Sequence, residues 1–436
     1  MPAKLLSEVQ KMATRKRAKP SGTAASAQVG RRSVIVTFKP KDQRRDKSVD
    51  KLDILSSEIR SKVEFFNAGE FFGAGNIEGG RGIVPPSVPK VEVAFDSNLY
   101  EAPIVSLSLT DDEIKSLKGN PNIAAVEEDG QCYALPVESF VREGQPNVQA
   151  ETIPVGIQQV KADMAWGCSR GKGVRVAVLD TGIDWTHPDL AANVKGSVSF
   201  VPGQTAMDTN SHGTHCAGTI AAAVNGSGVV GVAPEASLYA VKVLANNGSG
   251  NWSWLIAGLS WCVQNKIHIA SMSLGGGGAP VALETMCNAA YSAGVLLVAA
   301  AGNKGPGMNT VDQPGKYKNV IAISAIDSAN LIAGFSSRGP EVELCAPGVN
   351  VLSTIPGGGY GTKSGTSMAC PHAAGVAALV WGSHRFATNV QIWNLLANTS
   401  DNLGNPGWDP LYGYGRVDAD QAAMEFTPAP PMALKP

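Results

Sequence analysis

The sequence predicts an α/β protein: a three-layer α/β/α unit around a mainly parallel sheet, preceded by a smaller α+β unit. Two observations carry the larger unit. From about residue 150, short β-branched runs alternate with Ala-rich helical runs. Strand runs such as Val295-Leu-Leu-Val298 are apolar throughout rather than alternating, as strands buried on both faces are. A parallel sheet with helices on both sides satisfies both. The smaller unit rests on a strand-helix-strand-helix-strand order before residue 135.

Taken in order, residues 1–30 are basic, small and polar, and read as a disordered leader. Ser33-Val-Ile-Val-Thr-Phe38 is a strand signal. The charged stretch Lys47–Val63 is compatible with a helix, and residues 67–90, rich in Gly and Pro, read as a loop or insertion. Val91–Phe95 and Ala102–Leu109 read as strands. Thr110-Asp-Asp-Glu113 is a capping box that opens a helix. Ile123–Asp129 closes the unit as a strand. An α+β domain over 31–135 and a polar linker over 136–149 follow from this. The larger domain spans 150–425. Its runs are Val174–Leu179, His212–Val224, Ser237–Leu244, Leu255–Gln264, Ile267–Leu274, Leu283–Ala293 and Val295–Ala300. An apolar helix is expected from Ala373 to Trp381, and residues 426–436 form a Pro-rich tail.

At 436 residues the chain has room for two or three domains. Its formal net charge of −1 sets up no global field toward nucleic acid or membranes. Residues 1–50 hold 13 Lys/Arg against 4 Asp/Glu, but aromatics are almost absent there, which favours a solvated leader over a nucleic-acid-binding tail. No apolar stretch reaches about 18 residues, so no transmembrane span is expected. Met1–Pro20 is basic but has no apolar core, so no conventional signal peptide is visible. Seven cysteines show no CxxC pair and no zinc spacing. Several lie in apolar runs and read as small buried residues.

Four motifs carry chemistry. Gly365-Thr-Ser367-Met-Ala-Cys-Pro-His372 places a hydroxyl after a glycine turn where a helix begins. Free N–H groups and the positive dipole end there can stabilise an oxyanion. Val176-Ala-Val-Leu-Asp180 puts a carboxylate at the end of a buried strand, where it needs a partner. Asn210-Ser-His212-Gly-Thr-His215 puts an imidazole at the start of an Ala-rich helix. His212 with His215 as metal ligands is a weaker reading, because no third ligand is evident. Ala299-Ala-Ala-Gly302-Asn303 aims an amide from another strand end. Each group alone has a bland reading as a cap or turn former. Together they are the set an acyl-transfer site requires: Ser367 as nucleophile, His212 as base, Asp180 as orienter, Asn303 as oxyanion donor. A GxSxG hydrolase is disfavoured because Met368-Ala369 follows the serine, and no GxGxxG or P-loop follows a strand.

These motifs resemble the four signatures of the subtilisin family (subtilases), whose chain order is also Asp, His, Ser. The resemblance covers about 150–425. It implies a serine endopeptidase, made as an autoprocessed zymogen, that acts on polypeptides through an acyl-enzyme. A peptide cyclase or acyl transferase on the same scaffold, or a non-catalytic pseudoprotease, are the alternatives. Residues 33–135 resemble the family's inhibitory propeptide, notably Ala124-Ala-Val-Glu-Glu-Asp129. The resemblance implies a substrate strand between Gly248-Ser249-Gly250 and Ser273-Leu274-Gly275, with Ala300, Ala301 and Gly302 lining the primary pocket. Asp312 stands where many relatives have glycine at the pocket floor, which suggests a preference for basic residues before the cleaved bond. Position 135 matches the usual end of the propeptide, but Pro136 follows, and Arg142-Glu143 is the alternative maturation site. The family also implies structural Ca²⁺, held by Glu151, Asp189 and Asn225 with carbonyls of Ala223, Ser227 and Val229. No organic cofactor is implied. Cys216, one helical turn after His212, suggests sensitivity to mercurials, and Met368 sensitivity to peroxide. A monomer is expected. Relatives are usually secreted, with an intracellular location as the alternative.

Overall fold

The computed structural model describes residues 31–45, 54–55, 104–135, 138–140 and 150–425. The leader, most of the Lys47–Val63 helix, the 67–90 loop, the Val91–Phe95 strand, most of the linker including Arg142-Glu143, and the tail fall outside the described residues.

The N-terminal unit begins with β1 (Arg32–Phe38), helical residues Ile54 and Leu55, and β2 (Ile104–Leu109). It continues through α1 (Asp111–Gly119) and β3 (Ile123–Glu128). The strands form an antiparallel sheet in the order β2-β1-β3. Val34, Val36, Phe38, Val105, Leu107 and Leu109 alternate onto the face that packs on Ile114 and Leu117 of α1. Thr110 and Glu113 close the expected capping box, each taking the other's backbone N–H. Two short strands follow, β4 (Gln131–Ala134) and β5 (Glu138–Phe140).

The larger unit opens with α2 (Val155–Gln159), α3 (Ala162–Ala165), β6 (Arg175–Asp180), β7 (Val194–Ser199) and α4 (His212–Ala221). Next come β8 (Ser237–Lys242), β9 (Ser249–Asn251), α5 (Trp252–Gln264), β10 (Ile269–Met272) and β11 (Leu274–Gly275). Then follow α6 (Val281–Ser292), β12 (Leu296–Ala300), β13 (Ile321–Ile326), β14 (Val342–Pro347), β15 (Val351–Ile355) and β16 (Gly359–Ser364). The chain finishes with α7 (Thr366–Ser383), α8 (Asn389–Asn398) and α9 (Ala419–Met424). Seven strands make one parallel sheet in the order β14-β13-β12-β10-β6-β8-β7. The order reverses beside β6, so a crevice opens at the carboxyl ends of β6, β10 and β12.

Both faces of the sheet are dry, which explains the unbroken apolar runs. Val176, Val178, Ile269, Leu296 and Val298 pack on the side of α4 and α7. Ala177, Leu179, Ala270, Met272, Leu297 and Ala299 pack on the side of α5 and α6. Consecutive residues thus serve two cores, so neither set can be polar. No helix among the described residues is long and apolar enough to cross a membrane.

One helix departs from expectation. α7 begins at Thr366, not at Ala373, so Pro371 is its sixth residue rather than a first-turn residue. Proline lacks the N–H that would bond the carbonyl four residues back, which is that of Ser367. Ser273 Oγ donates to this carbonyl instead, at 2.8 Å, and the Cys216 thiol approaches it at 3.5 Å. The break is therefore satisfied by neighbouring elements. α7 is buried from Thr366 to Trp381, and its small residues allow close neighbours. A Cβ added at Gly375 would stand 2.6 Å from Val232 Cβ. Gly375→Ala should therefore destabilise the chain by about 1–3 kcal/mol despite alanine's better helix propensity, because overpacking outweighs propensity. Urea unfolding of the two proteins measures this, and a more stable variant would show that the contact yields.

Candidate active site

Asp180 ends β6 and is fully buried. Its carboxylate is satisfied by two neighbours. Thr181 N donates to Oδ1 at 2.7 Å, and His212 Nδ1 lies 2.8 Å from Oδ1 and 2.9 Å from Oδ2. A ring nitrogen shared by both oxygens of a carboxylate carries the proton, because the carboxylate has only acceptors to offer. That leaves Nε2 as the basic nitrogen. His212 Nε2 is buried and makes no hydrogen bond among the described residues.

His212 is the first residue of α4. The residue before it, Ser211, sits at φ 87, a left-handed conformation that serine disfavours. Sparse backbone of this kind persists only where surroundings hold it. Ser211 N donates to Asp208 Oδ1 at 3.2 Å, and Lys363 Nζ donates to Ser211 Oγ at 2.9 Å.

Ser367 is the second residue of α7 and fully buried. Its Oγ donates to the Ser273 carbonyl at 3.0 Å, while Ser273 Oγ donates back to the Ser367 carbonyl. Asn303 follows β12. Its Oδ1 accepts Thr366 N at 2.9 Å and Thr366 Oγ1 at 2.8 Å, which fixes the amide plane beside the first turn of α7. Asp180 and His212 are thus in direct contact, Asn303 bonds the residue before Ser367, and Cys216, beside His212, approaches the Ser367 carbonyl, while Ser367 Oγ itself is bonded to Ser273 rather than to His212.

His215 is not part of this group. Its Nε2 faces the carbonyls of Val351 at 2.9 Å and Gly361 at 3.2 Å, and burial pushes its pKa down to about 3. It is a neutral core histidine, so the paired-histidine metal reading fails. Cys216 does lie beside the histidine: its sulfur, a nitrogen of His212 and an oxygen of Asp180 fall within 4.8 Å of one another. Burial pushes this thiol well above the ordinary range, so it stays protonated.

The expected cleft is a pair of strands with a third between them. β4 pairs antiparallel with β9 through Cys132↔Gly250 and Tyr133↔Ser249, and with β11 through Ala134↔Leu274 and Tyr133↔Gly275. Ala134 N also donates to the Gly248 carbonyl at 2.8 Å. Leu135 is buried, and its Cδ2 would touch a Cβ added at Gly275 at 3.5 Å. β5 then pairs with β16 through Glu138↔Ser364 and Lys363↔Ser139. The N-terminal unit is anchored further by two carboxylates at helix starts. Glu127 Oε1 accepts Val281 N at 2.9 Å, and Asp129 accepts Ser253 N at 3.0 Å and Ser253 Oγ at 2.6 Å. Acidic groups at helix N-termini meet both orphan donors and dipole.

Ala300 and Ala301 are buried beside Gly302. Asp312 is 3% exposed and turned inward rather than to solvent. Gly302 and Gly275 flank it, since a Cβ added at Gly302 would lie 2.7 Å from Asp312 Oδ2, and one at Gly275 3.0 Å from Asp312 Cβ. Lys304 Nζ is paired with Oδ1, and Oδ2 has no hydrogen-bond partner among the described residues. The sequence reading missed this counter-ion.

The residues expected around calcium also converge. Asp189 is fully buried and accepts Asn225 Nδ2 and Val229 N, each at 2.9 Å. Glu151 Oε1 accepts Asn225 N at 2.7 Å and Gly226 N at 2.9 Å. Ala223 N donates to the Asp189 carbonyl at 2.8 Å, and Ser227 N to Asn225 Oδ1 at 3.0 Å.

Sequence reasoning also missed Asp208, Thr181, Lys242, Lys363 and Thr366, which surround the acting groups. Lys242, a charge closing the apolar strand Leu238–Val241, was the legible signal among them. Polar residues at such positions need a buried partner.

A parallel α/β sheet with serine, histidine, aspartate and asparagine at its carboxyl edge defines a serine hydrolase of the Asp-His-Ser order. The Subtilase family model matches residues 171–415, and the chain belongs to that family. It is a subtilisin-like serine protease. It is 45% identical to subtilisin E of Bacillus subtilis (strain 168) over 322 residues, covering 73% of this chain and 80% of that protein. It is 45% identical to M-protease of Shouchella clausii (strain KSM-K16) over 335 residues, covering 76% and 82%. To a subtilisin of Bacillus pumilus it is 48% identical over 280 residues, covering 63% of this chain and all of that protein.

Proposed function

We propose that Ser367, His212, Asp180 and Asn303 hydrolyse peptide bonds through an acyl-enzyme. The observation that carries this is the orientation of His212: Nδ1 is held by a fully buried carboxylate while buried Nε2 has no partner among the described residues. In the reaction Ser367 Oγ leaves the Ser273 carbonyl and attacks the substrate carbonyl carbon, passing its proton to Nε2. Asp180 steadies the resulting imidazolium. The carbonyl oxygen, now negative, is held by the Asn303 amide and by Ser367 N, which has no acceptor within its own helix. Nε2 then gives its proton to the leaving amine, and water repeats the cycle to free the acid.

We further propose that residues 31–135 are an intramolecular inhibitor of this site. β4 fills the slot between β9 and β11, and Leu135 enters the primary pocket. Main-chain pairing of this kind is the sequence-tolerant way to hold a peptide strand. Expression of the full chain beside Ser367→Ala, read by intact mass, tests both proposals. Wild type should lose roughly 130–150 N-terminal residues and the variant none, since removing the nucleophile removes the acyl-enzyme route. Processing in both would sink the autocatalytic reading.

A second reading concerns the primary pocket. The buried Asp312 Oδ2, without a hydrogen-bond partner among the described residues, favours a cationic side chain before the cleaved bond. Two features temper this: Lys304 already shares the carboxylate, and the chain's own occupant is Leu135. On matched peptides ending in Arg, Lys, Phe and Leu, Arg should exceed Phe. Lys304→Ala should raise the Arg/Phe ratio roughly fivefold, the ~1 kcal/mol of a half-exposed ion pair. Equal rates for Arg and Phe in both proteins would reject it.

Glu151, Asp189 and Asn225 with the 223–229 loop are proposed as a Ca²⁺ site. The donors are hard oxygens, two carboxylates brought against one loop that supplies an amide and three carbonyls, which suits Ca²⁺. The ion would cross-link the loop to Asp189 and Glu151. Chelator should lower Tm by roughly 3–5 °C, as loss of ~2–3 kcal/mol of linked binding does in a domain of about 275 residues. Identical melting curves would remove the proposal.

A further inference from the structure

Asp208, in the loop before α4, is 2% exposed and has no part in the chemistry above. Its carboxylate accepts five hydrogen bonds. Oδ1 takes Thr181 Oγ1 at 2.9 Å, Asn210 N at 2.8 Å and Ser211 N at 3.2 Å. Oδ2 takes Thr214 N at 2.9 Å and Thr214 Oγ1 at 2.6 Å. The positions of these donors matter. Thr181 directly follows Asp180, Ser211 directly precedes His212, and Thr214 lies two residues beyond it. Thr181 Oγ1 also accepts Gly213 N at 3.0 Å. One carboxylate therefore joins the end of β6 to the first turn of α4.

An ordinary helix cap bonds only the first turn of its own helix. Asp208 does so through Ser211 and Thr214, but its bond to Thr181 reaches a different element and serves no cap. The charge around it fits a second task. Lys242, fully buried at the end of β8, donates to the Thr181 carbonyl, and its charge faces Asp208 and Asp180. Lys363 faces the same two carboxylates and bonds Ser211. A carboxylate this deeply buried needs every one of these donors.

We propose that Asp208 is a positioning residue for the reaction: it fixes the His212 imidazole against Asp180 by tying their backbones together. A ring allowed to drift by a fraction of an ångström still binds substrate but meets the serine proton in poorer alignment. The inference rests on the Asp180-His212-Ser367 reading above.

The test compares wild type, Ser367→Ala, Asp208→Asn and Thr181→Val, each made as the full chain and allowed to mature. Active sites are counted by titration with a sulfonyl fluoride, and assays run well below each Tm. Asp208→Asn keeps the shape but turns an NH₂ toward a donor. Thr181→Val removes only the bridging hydroxyl, and decides the matter if Asp208→Asn does not fold or mature. Expected is a roughly tenfold to hundredfold fall in kcat per titrated site for Asp208→Asn and about threefold or more for Thr181→Val, with KM steady. A purely stabilising cap would lower Tm and leave kcat per site unchanged. Unchanged kcat in both variants, or a loss confined to KM, overturns the proposal. An active Ser367→Ala overturns the triad reading instead, so the two failures are distinguishable.

Discussion

Asp180 is a carboxylate with no exposed surface at the end of a strand that is apolar on both faces. Such a group is tolerated only where every acceptor site is filled. Much of the surrounding architecture follows from that requirement. Thr181 N and His212 Nδ1 fill it directly, and Val243 N and Leu244 N hold the Asp180 carbonyl at 3.0 and 3.1 Å. For His212 to arrive, α4 must begin at that point, which forces Ser211 into its left-handed conformation. The same demand leaves His212 Nε2 with its proton-accepting side toward the crevice. Burial of one acid thus sets the tautomer of the base.

Much of this was legible because it is local. Apolar runs marked strands wetted on neither face, and the capping box at Thr110 was readable from four letters. Asp180, His212, Asn303 and Ser367 stood out only together, because four groups that are each ordinary at a strand end or helix start make up one acyl-transfer set. What the sequence hid depends on which strands become neighbours. Lys242 meets Thr181 only because β8 lies beside β6, a pairing across more than fifty residues. Lys304 reaches Asp312 through the fold of a loop. The start of α7 was misplaced for the same reason. Pro371 reads as a helix boundary by local rules, yet Ser273, about a hundred residues away, supplies the bond that lets the helix pass through it.

All seven cysteines are unpaired, six of them buried. Burial raises the thiols of Cys132, Cys216, Cys262, Cys287, Cys345 and Cys370. They act as small buried apolar residues, five of them within the two cores, rather than as reactive groups. Cross-links therefore contribute nothing to holding the sheet between its helix layers. Close packing carries that load, which is why glycines on α4 and α7 stand against neighbouring side chains with no room for a Cβ.

The cleft is governed by a related constraint. β9 and β11 are short strands whose facing edges carry unpaired N–H and C=O groups unless a third strand lies between them. β4 meets those groups through backbone alone, with Tyr133 half exposed and only Cys132 and Leu135 buried as anchors. Any strand able to enter the slot satisfies the same edges, so on the proposed reading a substrate and the chain's own N-terminal unit compete for one set of bonds. The intramolecular strand holds the advantage of effective concentration while it stays attached. Its carboxylates at the starts of α5 and α6 add contacts that a substrate strand would lack. That reading places selectivity between the two occupants outside the slot, at those helix starts, and selectivity among substrates at the buried positions taken by Cys132 and Leu135.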